Sequence, residues 1–310
     1  LAKFFWKLGQ TFFHKIICFI FIKRLFCYVR IIYMSDLIKT IIETREIASQ
    51  IAVQSLIDMD GISEVELRDR ILSQTSKYDN LFPKGWYDPP AGGVGILFDK
   101  EPFKRLQFDS LRNSESWPKE SSKFEKETVG IVYLSPVDKK TGMIGDIGFT
   151  IYNGESEEIK QHIKKCFDTT LAVAEHAQVG MKFSELYEFA MKQFANEVKI
   201  IGWMTTTSDP LKGVNLGHTV PGSYSGDFSH SESFNEVKKE ITTKRIYINI
   251  AESFEIPETC AFTVEARLAD DNKPHLPNVF FHFIVTFSKG EKKILKNFED
   301  IFKIAKMDYI

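Results

Sequence analysis

The segment VGIVYLSPVDKKTGMIGDIGFTIYNG, residues 129–154, predicts the element around which the rest of the fold is arranged. Two runs rich in β-branched and aromatic residues, 129–134 and 147–152, flank a stretch that contains proline and glycine. Runs of this composition favour strands, and the intervening stretch, 136–142, is typical of a turn. The segment therefore predicts a strand hairpin, with Asp146 at the start of its second strand.

A pair of helices is predicted before this hairpin. Apolar residues recur at helical spacing over 36–59, with charges such as Arg45 between them, and this amphipathic stretch ends near Gly61. Ser63 then begins a second helix, which runs through Ile71 and is capped by a glutamate three residues after the serine. The order is helix, glycine turn, capped helix.

The same order returns after the hairpin, where an amphipathic stretch at 157–178 is followed by Gly180 and by a second helix that opens at 184–186. This return indicates either two structurally related halves or two helical hairpins that share ordinary capping chemistry. Strands are predicted after the helices of each half. The predicted strands are 94–98, 129–134, 147–152, 245–250, 262–268 and 279–287.

Composition restricts the classes of function. The chain has 43% hydrophobic residues, enough for a substantial core, and 40 basic against 42 acidic residues give a formal charge of −2. No nucleic-acid partner is expected, because such proteins carry clustered positive charge. The four cysteines are far apart and show no metal-binding or disulfide spacing. We therefore expect a reducing, cytoplasmic setting.

Residues 1–33 differ from the rest of the chain because they contain six basic residues and no acidic residue among many aromatic and aliphatic ones. The apolar run within them is too short to span a bilayer. One interpretation is an extension outside the fold, with the folded domain at 34–310 beginning at Met34. The other is a targeting peptide or a contact with a membrane surface, and we expect membrane contact only through this segment.

The order of these features resembles the catalytic domain of the creatinase, prolidase and methionyl aminopeptidase metallopeptidases. The resemblance covers about residues 36–304 and rests on the repeated helix pair, the strand hairpin, the Asn215–His218 motif and the strand that carries Glu265. It implies an α+β pita-bread fold, with two pseudo-symmetric halves, a curved and mainly antiparallel sheet, and helices outside. It also allows a homodimer.

The family holds two divalent ions with two aspartates on a strand hairpin, one histidine and two glutamates. By this resemblance Asp146 corresponds to the second aspartate, while the first falls at Tyr133, a phenol. A different register would make Asp146 the first ligand and Glu157 the second. We disfavour that register, since Gly154 and the helix after it leave no strand for Glu157.

The resemblance further implies that His218 and Glu265 are metal ligands. The second glutamate falls near Phe280, and His282 lies two residues later on the same face of the predicted strand, where it either serves as a ligand or packs. His230 corresponds to the histidine that steadies the substrate in the family. We therefore expect Asp146, His218 and Glu265 to hold the metal, with His230 and His282 assisting catalysis.

Two carboxylates offset about one divalent ion, so the residues predict at most a mononuclear site for Mn, Zn, Co or Fe, and an empty site is the alternative. Two hypotheses about function follow. In the first, the protein is a metallopeptidase-like hydrolase that uses a metal-activated water to cleave a peptide end or a small amide. In the second, it is a non-catalytic relative that binds a peptide or a protein partner in the old cleft.

Overall fold

The computed structural model describes residues 34–195, 199–200, 214–225, 233–270 and 272–310. Helices in this part of the chain occupy 34–56 (α1), Glu64–Thr75 (α2), Glu157–His176 (α3), Phe183–Ala195 (α4), Phe234–Thr243 (α5) and Glu299–Ile304 (α6). Strands occupy Val94–Asp99 (β1), Thr128–Leu134 (β2), Ile147–Asn153 (β3), Lys199–Ile200 (β4), Cys260–Val264 (β5), Arg267–Ala269 (β6), Val279–Phe280 (β7), Phe283–Ser288 (β8) and Glu291–Leu295 (β9).

Each half of the chain contains a helix pair followed by an antiparallel sheet. The first half has α1 and α2 with the sheet β1-β2-β3, and the second has α3 and α4 with the sheet β5-β8-β9. A small third sheet, β4-β6-β7, lies beside the first, since the main-chain N–H of His282 donates to Gly148 O in β3 at 2.9 Å. The prediction of an α+β fold built on antiparallel sheets is confirmed.

The hairpin at 129–154 has the predicted form. β2 and β3 pair antiparallel, with Leu134 opposite Ile147 at the loop end. A single bridge between Val137 and Ile144 continues the pairing into the loop. All seven residues of β2 are buried, because this strand lies between β1 and β3 inside the sheet. Asp146 is therefore held one residue before β3, at a fixed place on a buried scaffold.

Local capping chemistry sets the ends of the helices. Ser63 and Glu66 form the predicted capping box: the Ser63 side chain accepts from Glu66 N, and the Glu66 side chain accepts from Ser63 N at 2.8 Å. α1 ends three residues earlier than predicted, because Asp58 takes a left-handed conformation with φ +52°. Gly61 and Gly180 have φ of +76° and +84°, which glycine adopts without strain.

Three of the predicted strands need correction. Residues 245–250 form no regular strand; an isolated bridge joins Tyr247 to His218, and the main chain of Ile246 and Ile248 is hydrogen-bonded to the same segment. Asn249 then accepts a hydrogen bond from Ala251 N at 3.0 Å, where the chain turns. The predicted strands 262–268 and 279–287 are each divided into two. β9 was not predicted, since its sequence EKKIL is that of a charged and exposed edge strand.

The two divided strands are interrupted opposite each other. β5 and β8 pair through Val264 and Phe283, and β6 and β7 pair through Arg267 and Phe280, which is the same register on both sides of the interruption. That register places Glu265 opposite His282. Both residues lie where regular pairing stops, which is also where the sequence predicted functional side chains.

Among the described residues, none of the helices combines the length and the apolar composition that a membrane span requires.

Candidate functional site

Four of the five predicted site residues lie in one buried cluster. Asp146 and His282 are fully buried, and His218 and Glu265 are 1% and 5% exposed. They come from the start of β3, the 214–225 segment and the two facing interruptions. The fifth, His230, lies outside the described residues.

The carboxylate of Asp146 already has two hydrogen-bond donors. Trp86 Nε1 lies 2.9 Å from both of its oxygens, and the Tyr133 hydroxyl donates to Oδ2 at 2.8 Å. Burial raises the pKa of Asp146 to about 7, while these two donors and the positive charge of Arg45 act in the opposite direction.

Trp86 reaches Asp146 because its main chain is fixed against the end of β2. Trp86 N donates to Ser135 O at 3.0 Å, and Ser135 Oγ donates to Gly93 O at 2.9 Å. A Cβ at Gly85 would overlap Ser135, so this approach requires a glycine. The indole also lies edge-on to the His218 ring, with centroids 6.1 Å apart. Trp86 therefore contacts both Asp146 and His218.

His218 has one ring nitrogen bound and one directed into the cluster. Nδ1 lies 2.9 Å from Thr219 O, which assigns the proton to Nδ1 and leaves a lone pair on Nε2. Nε2 is 3.5 Å from Glu265 Oε1. Burial lowers the pKa of His218 well below its ordinary value, and the charge of Arg245 lowers it further. The imidazole is therefore neutral at physiological pH.

Glu265 lies between the two imidazoles. Its Oε1 accepts a hydrogen bond from Thr263 Oγ1 at 3.0 Å, and its Oε2 is 3.7 Å from His282 Nε2. Burial, followed by the charge of Asp146, raises the pKa of Glu265 to about 8. The carboxyl is therefore mostly protonated at neutral pH.

His282 is held by its main chain and not by its ring. Its N–H donates to Gly148 O, and its carbonyl accepts from Arg45 at 2.9 Å. Neither ring nitrogen has a hydrogen-bond partner among the described residues, although the side chain is fully buried. Burial lowers the pKa of His282 well below its ordinary value, and the charge of Arg45 adds to this effect.

Tyr133 and Phe280 stand where the resemblance places two more carboxylates. Their rings contact each other, with centroids 6.3 Å apart. A Cβ at Gly148 would overlap Phe280 Cε1, so the phenyl ring lies directly on the backbone of β3. An aromatic wall therefore fills this side of the cluster and supplies one hydroxyl but no carboxylate.

Two arginines that the sequence did not indicate as functional residues border the cluster. Arg45 is fully buried, and its guanidinium donates to main-chain carbonyls. Arg245 lies over the rings of Trp86 and Tyr247, 4.8 and 5.3 Å from their centroids. Together they carry two positive charges, which balance Asp146 and Glu265 even if both acids are ionised.

The chemistry of these donors does not fit a divalent ion. A metal requires lone pairs from deprotonated ligands. Here an indole N–H and a phenol hydroxyl donate to Asp146, and the indole that binds Asp146 also contacts the ring of His218. In the described part of the chain, no three His, Cys, Asp or Glu side chains form a group that could hold a metal. The structure thus brings Asp146, His218 and Glu265 into one cluster without arranging them as a ligand set.

Comparison with known proteins identifies the fold. No family model matches the sequence, and no curated protein matches it. Among solved structures, the X-Pro aminopeptidase from Thermotoga maritima superposes with a TM-score of 0.58 at 15% identity, over 87% of this chain and 64% of that one. The prolidase from Pyrococcus horikoshii gives 0.58 at 15% identity, over 84% and 62%.

A histidine-to-alanine variant of Escherichia coli aminopeptidase P gives a TM-score of 0.57 at 10% identity, over 87% of this chain and 57% of that one. The chain therefore spans less than two thirds of the length of these structures. It adopts the pita-bread fold of prolidases and X-Pro peptidases, which confirms the fold that the resemblance implied.

Proposed function

We propose that this protein is a pita-bread pseudo-peptidase, which binds a peptide end in the former active-site region without a metal ion and without hydrolysis. The observation that carries this proposal is that Asp146 already has two hydrogen-bond donors: Trp86 Nε1 lies 2.9 Å from both of its oxygens, and the Tyr133 hydroxyl lies 2.8 Å from Oδ2. A tryptophan N–H can only donate, so it competes with an ion for the carboxylate.

Charge balance supports the same proposal. The resemblance implies carboxylates neutralised by divalent ions, whereas here Arg45 and Arg245 provide fixed positive charges beside Asp146. Adding a divalent ion to this cluster would leave an excess of buried positive charge. Excess charge in a largely buried cluster is costly, because water and counter-ions solvate it poorly there.

The ligand that we propose is a peptide with a free carboxylate. The structural neighbours are peptidases of the X-Pro and prolidase type, so a peptide is the ligand class that the fold suggests. Arg245 is partly exposed, and among the described residues it contacts rings without donating a hydrogen bond. A guanidinium held over aromatic rings is suited to paired hydrogen bonds with a carboxylate.

The experiment uses the full chain and two measurements. In the first, the protein is incubated with Mn²⁺, Co²⁺ or Zn²⁺, desalted and analysed for metal, with Asp146→Ala in parallel. In the second, matched proline-containing tripeptides with a free or an amidated C-terminus are titrated calorimetrically and then assayed for cleavage. We expect well under one ion per chain, binding of the free-carboxylate peptides, and no cleavage.

Arg245→Gln should weaken the binding of free-carboxylate peptides at least tenfold, or about 1.4 kcal/mol. Lys239→Gln, which removes an exposed charge from α5, is the matched control and should bind as the wild type does. One tightly bound ion per chain that is lost in Asp146→Ala, together with peptide cleavage, would overturn the proposal in favour of the metal-dependent hydrolase. Equal binding of free and amidated peptides would refute the role of Arg245.

A further inference from the structure

Arg45 is a charged residue at the centre of an amphipathic helix, on the face that packs against the core. It lies in α1, its side chain is fully buried, and its neighbours one turn away on the same face, Ile41 and Ala48, are buried core residues. Burying an arginine is unfavourable unless hydrogen bonds and negative charge compensate it. The groups around Arg45 must therefore compensate the cost of burying its charge.

The guanidinium of Arg45 contacts three separate strand ends. Nη1 donates to Asp146 O, one residue before β3, and Nη2 donates to His282 O at 2.9 Å and to Lys296 O at 2.7 Å. Asp146 belongs to the first half of the chain, while His282 and Lys296 belong to the second. One planar group therefore fixes the main chain of two site residues from opposite halves.

α1 is brought to this position by direct backbone contact. A Cβ at Gly145 would overlap the main chain of Thr44 and Arg45, so only glycine lets the helix approach the strand this closely. The guanidinium carbon also lies 5.2 Å from the centroid of the Phe298 ring, which closes the other side of the pocket around it. These contacts hold the guanidinium in place beside the ends of the three strands.

We infer that Arg45 is the positioning residue of the site, an internal cation that ties Asp146 and His282 together through their main-chain carbonyls and stabilises the nearby buried carboxylate by its charge, in place of a metal ion. This inference rests on the proposed metal-free state of the cluster, because an ion bound at Asp146 would make the charge of Arg45 redundant. It predicts that the stability lost when Arg45 is replaced depends on the negative charge of Asp146.

The test is a double-mutant cycle in the full chain, with Arg45→Met, Asp146→Asn and the double variant unfolded in urea at pH 8.5, where Asp146 is ionised in the folded wild type. We expect Arg45→Met to lower the folding equilibrium constant at least a hundredfold, since it leaves a buried acid without its cation. In the Asp146→Asn background the same substitution should cost at least tenfold less. Equal losses in both backgrounds would mean that Arg45 only ties carbonyls or fills space, and would overturn the inference.

If Arg45→Met alone does not fold, the double variant decides the question. Recovery of cooperative unfolding in the double variant supports the inference, and failure of both to fold refutes it. Arg45→Lys, which keeps the charge but not the fork, should be intermediate.

A spectroscopic readout reports on the site itself. The indole N–H resonance of Trp86, assigned by its loss in Trp86→Phe, is sensitive to the position of the Asp146 carboxylate. It should shift in Arg45→Lys and stay unchanged in Arg70→Met, a substitution of an exposed arginine of α2 that also donates to a carbonyl. An unmoved resonance in Arg45→Lys would count against a positioning role.

The metal content of the wild type separates this inference from the proposed function. A metal-loaded wild type would refute the proposed function and the replacement of an ion by Arg45, while an intact coupling would still support the positioning of Asp146 by Arg45. A metal-free wild type with no coupling would refute the inference alone.

Discussion

The indole nitrogen of Trp86 lies 2.9 Å from both carboxylate oxygens of Asp146, so a single N–H is shared across the face of a fully buried acid. This arrangement closes the carboxylate to other partners on that side. The free energy of burying this carboxylate also depends on Trp86, because a buried carboxylate that loses its hydrogen-bond donors bears the full cost of its desolvation.

Replacement of Trp86 by phenylalanine should therefore destabilise the protein through the lost donor. Phenylalanine keeps most of the apolar ring but has no N–H, which leaves Asp146 with Tyr133 as its remaining side-chain donor. We expect a loss of about 2 kcal/mol in the free energy of unfolding, measured by urea denaturation at pH 7.5.

The matched control is Trp117→Phe. Trp117 also donates its indole N–H, to Arg112 O at 3.2 Å, but it is 38% exposed and water can replace the lost partner. Its substitution should change the free energy of unfolding by no more than about 0.5 kcal/mol. Similar losses in the two variants would show that the ring, and not the contact with Asp146, accounts for the effect.

Stability should fall as the pH rises from 6.5 to 8. The folded-state pKa values of Asp146 and Glu265 are raised to about 7 and 8, and the unfolded chain titrates these acids near pH 4. Between these limits the folded state holds more protons, so raising the pH favours unfolding. Below about pH 6.5, His218 and His282, whose folded-state pKa values are lowered, act in the opposite direction and flatten the profile.

The expected slope above pH 6.5 is about 1 kcal/mol per pH unit for each carboxyl group that titrates. It can be measured as the free energy of unfolding in urea at half-unit steps. Asp146→Asn and Glu265→Gln remove one titration each and should each reduce the slope. A wild-type stability that rises over this interval, or a slope that neither variant changes, would show that these acids are ionised in the folded protein.

Much of the fold could be predicted from the sequence because its signals are local. The capping box at Ser63, the glycine turns and the hairpin at 129–154 depend on neighbouring residues, and all appear in the structure. The interruptions at Glu265 and His282 could not be predicted in this way. Both segments read as continuous strands, and their division depends on tertiary contacts such as that of His282 with β3.

The prediction for Arg45 was wrong for an instructive reason. From the sequence, Arg45 was predicted to lie among the charges between the apolar positions of α1, whereas it lies on their face, one turn from Ile41 and Ala48, and is fully buried. Its partners are main-chain carbonyls at the ends of distant strands, which carry no sequence signal. Trp86 was missed likewise, since no local pattern indicates that its N–H meets Asp146.

Gly148 should not tolerate alanine unless Phe280 becomes smaller. A Cβ at this position would overlap Phe280 Cε1, and the phenyl ring is fully buried with little room to move. We expect Gly148→Ala to lower the free energy of unfolding by about 1–3 kcal/mol, and to cost less in a Phe280→Leu background.

Gly290→Ala is the control for the double-mutant cycle of Gly148→Ala and Phe280→Leu. Its φ of +84° makes alanine unfavourable, but no atom lies within 4 Å of the added Cβ. It should therefore cost about 1 kcal/mol through the backbone alone and show no coupling to Phe280→Leu. A cost for Gly148→Ala that Phe280→Leu leaves unchanged would contradict the contact between the ring and the backbone of β3.

Replacement of His282 by leucine should stabilise the protein, in contrast to most substitutions in a core. Its side chain is fully buried, and neither ring nitrogen has a hydrogen-bond partner among the described residues, so the ring bears a desolvation cost without a compensating bond. Leucine removes that cost and leaves the main-chain contacts with Gly148 and Arg45 available. We expect a gain of about 1 kcal/mol in the free energy of unfolding in urea.

His218→Leu is the matched comparison, because His218 is equally buried but its Nδ1 lies 2.9 Å from Thr219 O. Removing it leaves that carbonyl without the ring donor, so the expected result is a loss of about 1–3 kcal/mol. If His282→Leu were instead as damaging as His218→Leu, the ring nitrogens of His282 would have to hold a ligand or an ordered water. Retained peptide binding by His282→Leu would then favour water, and lost binding would identify His282 as a residue that contacts the ligand.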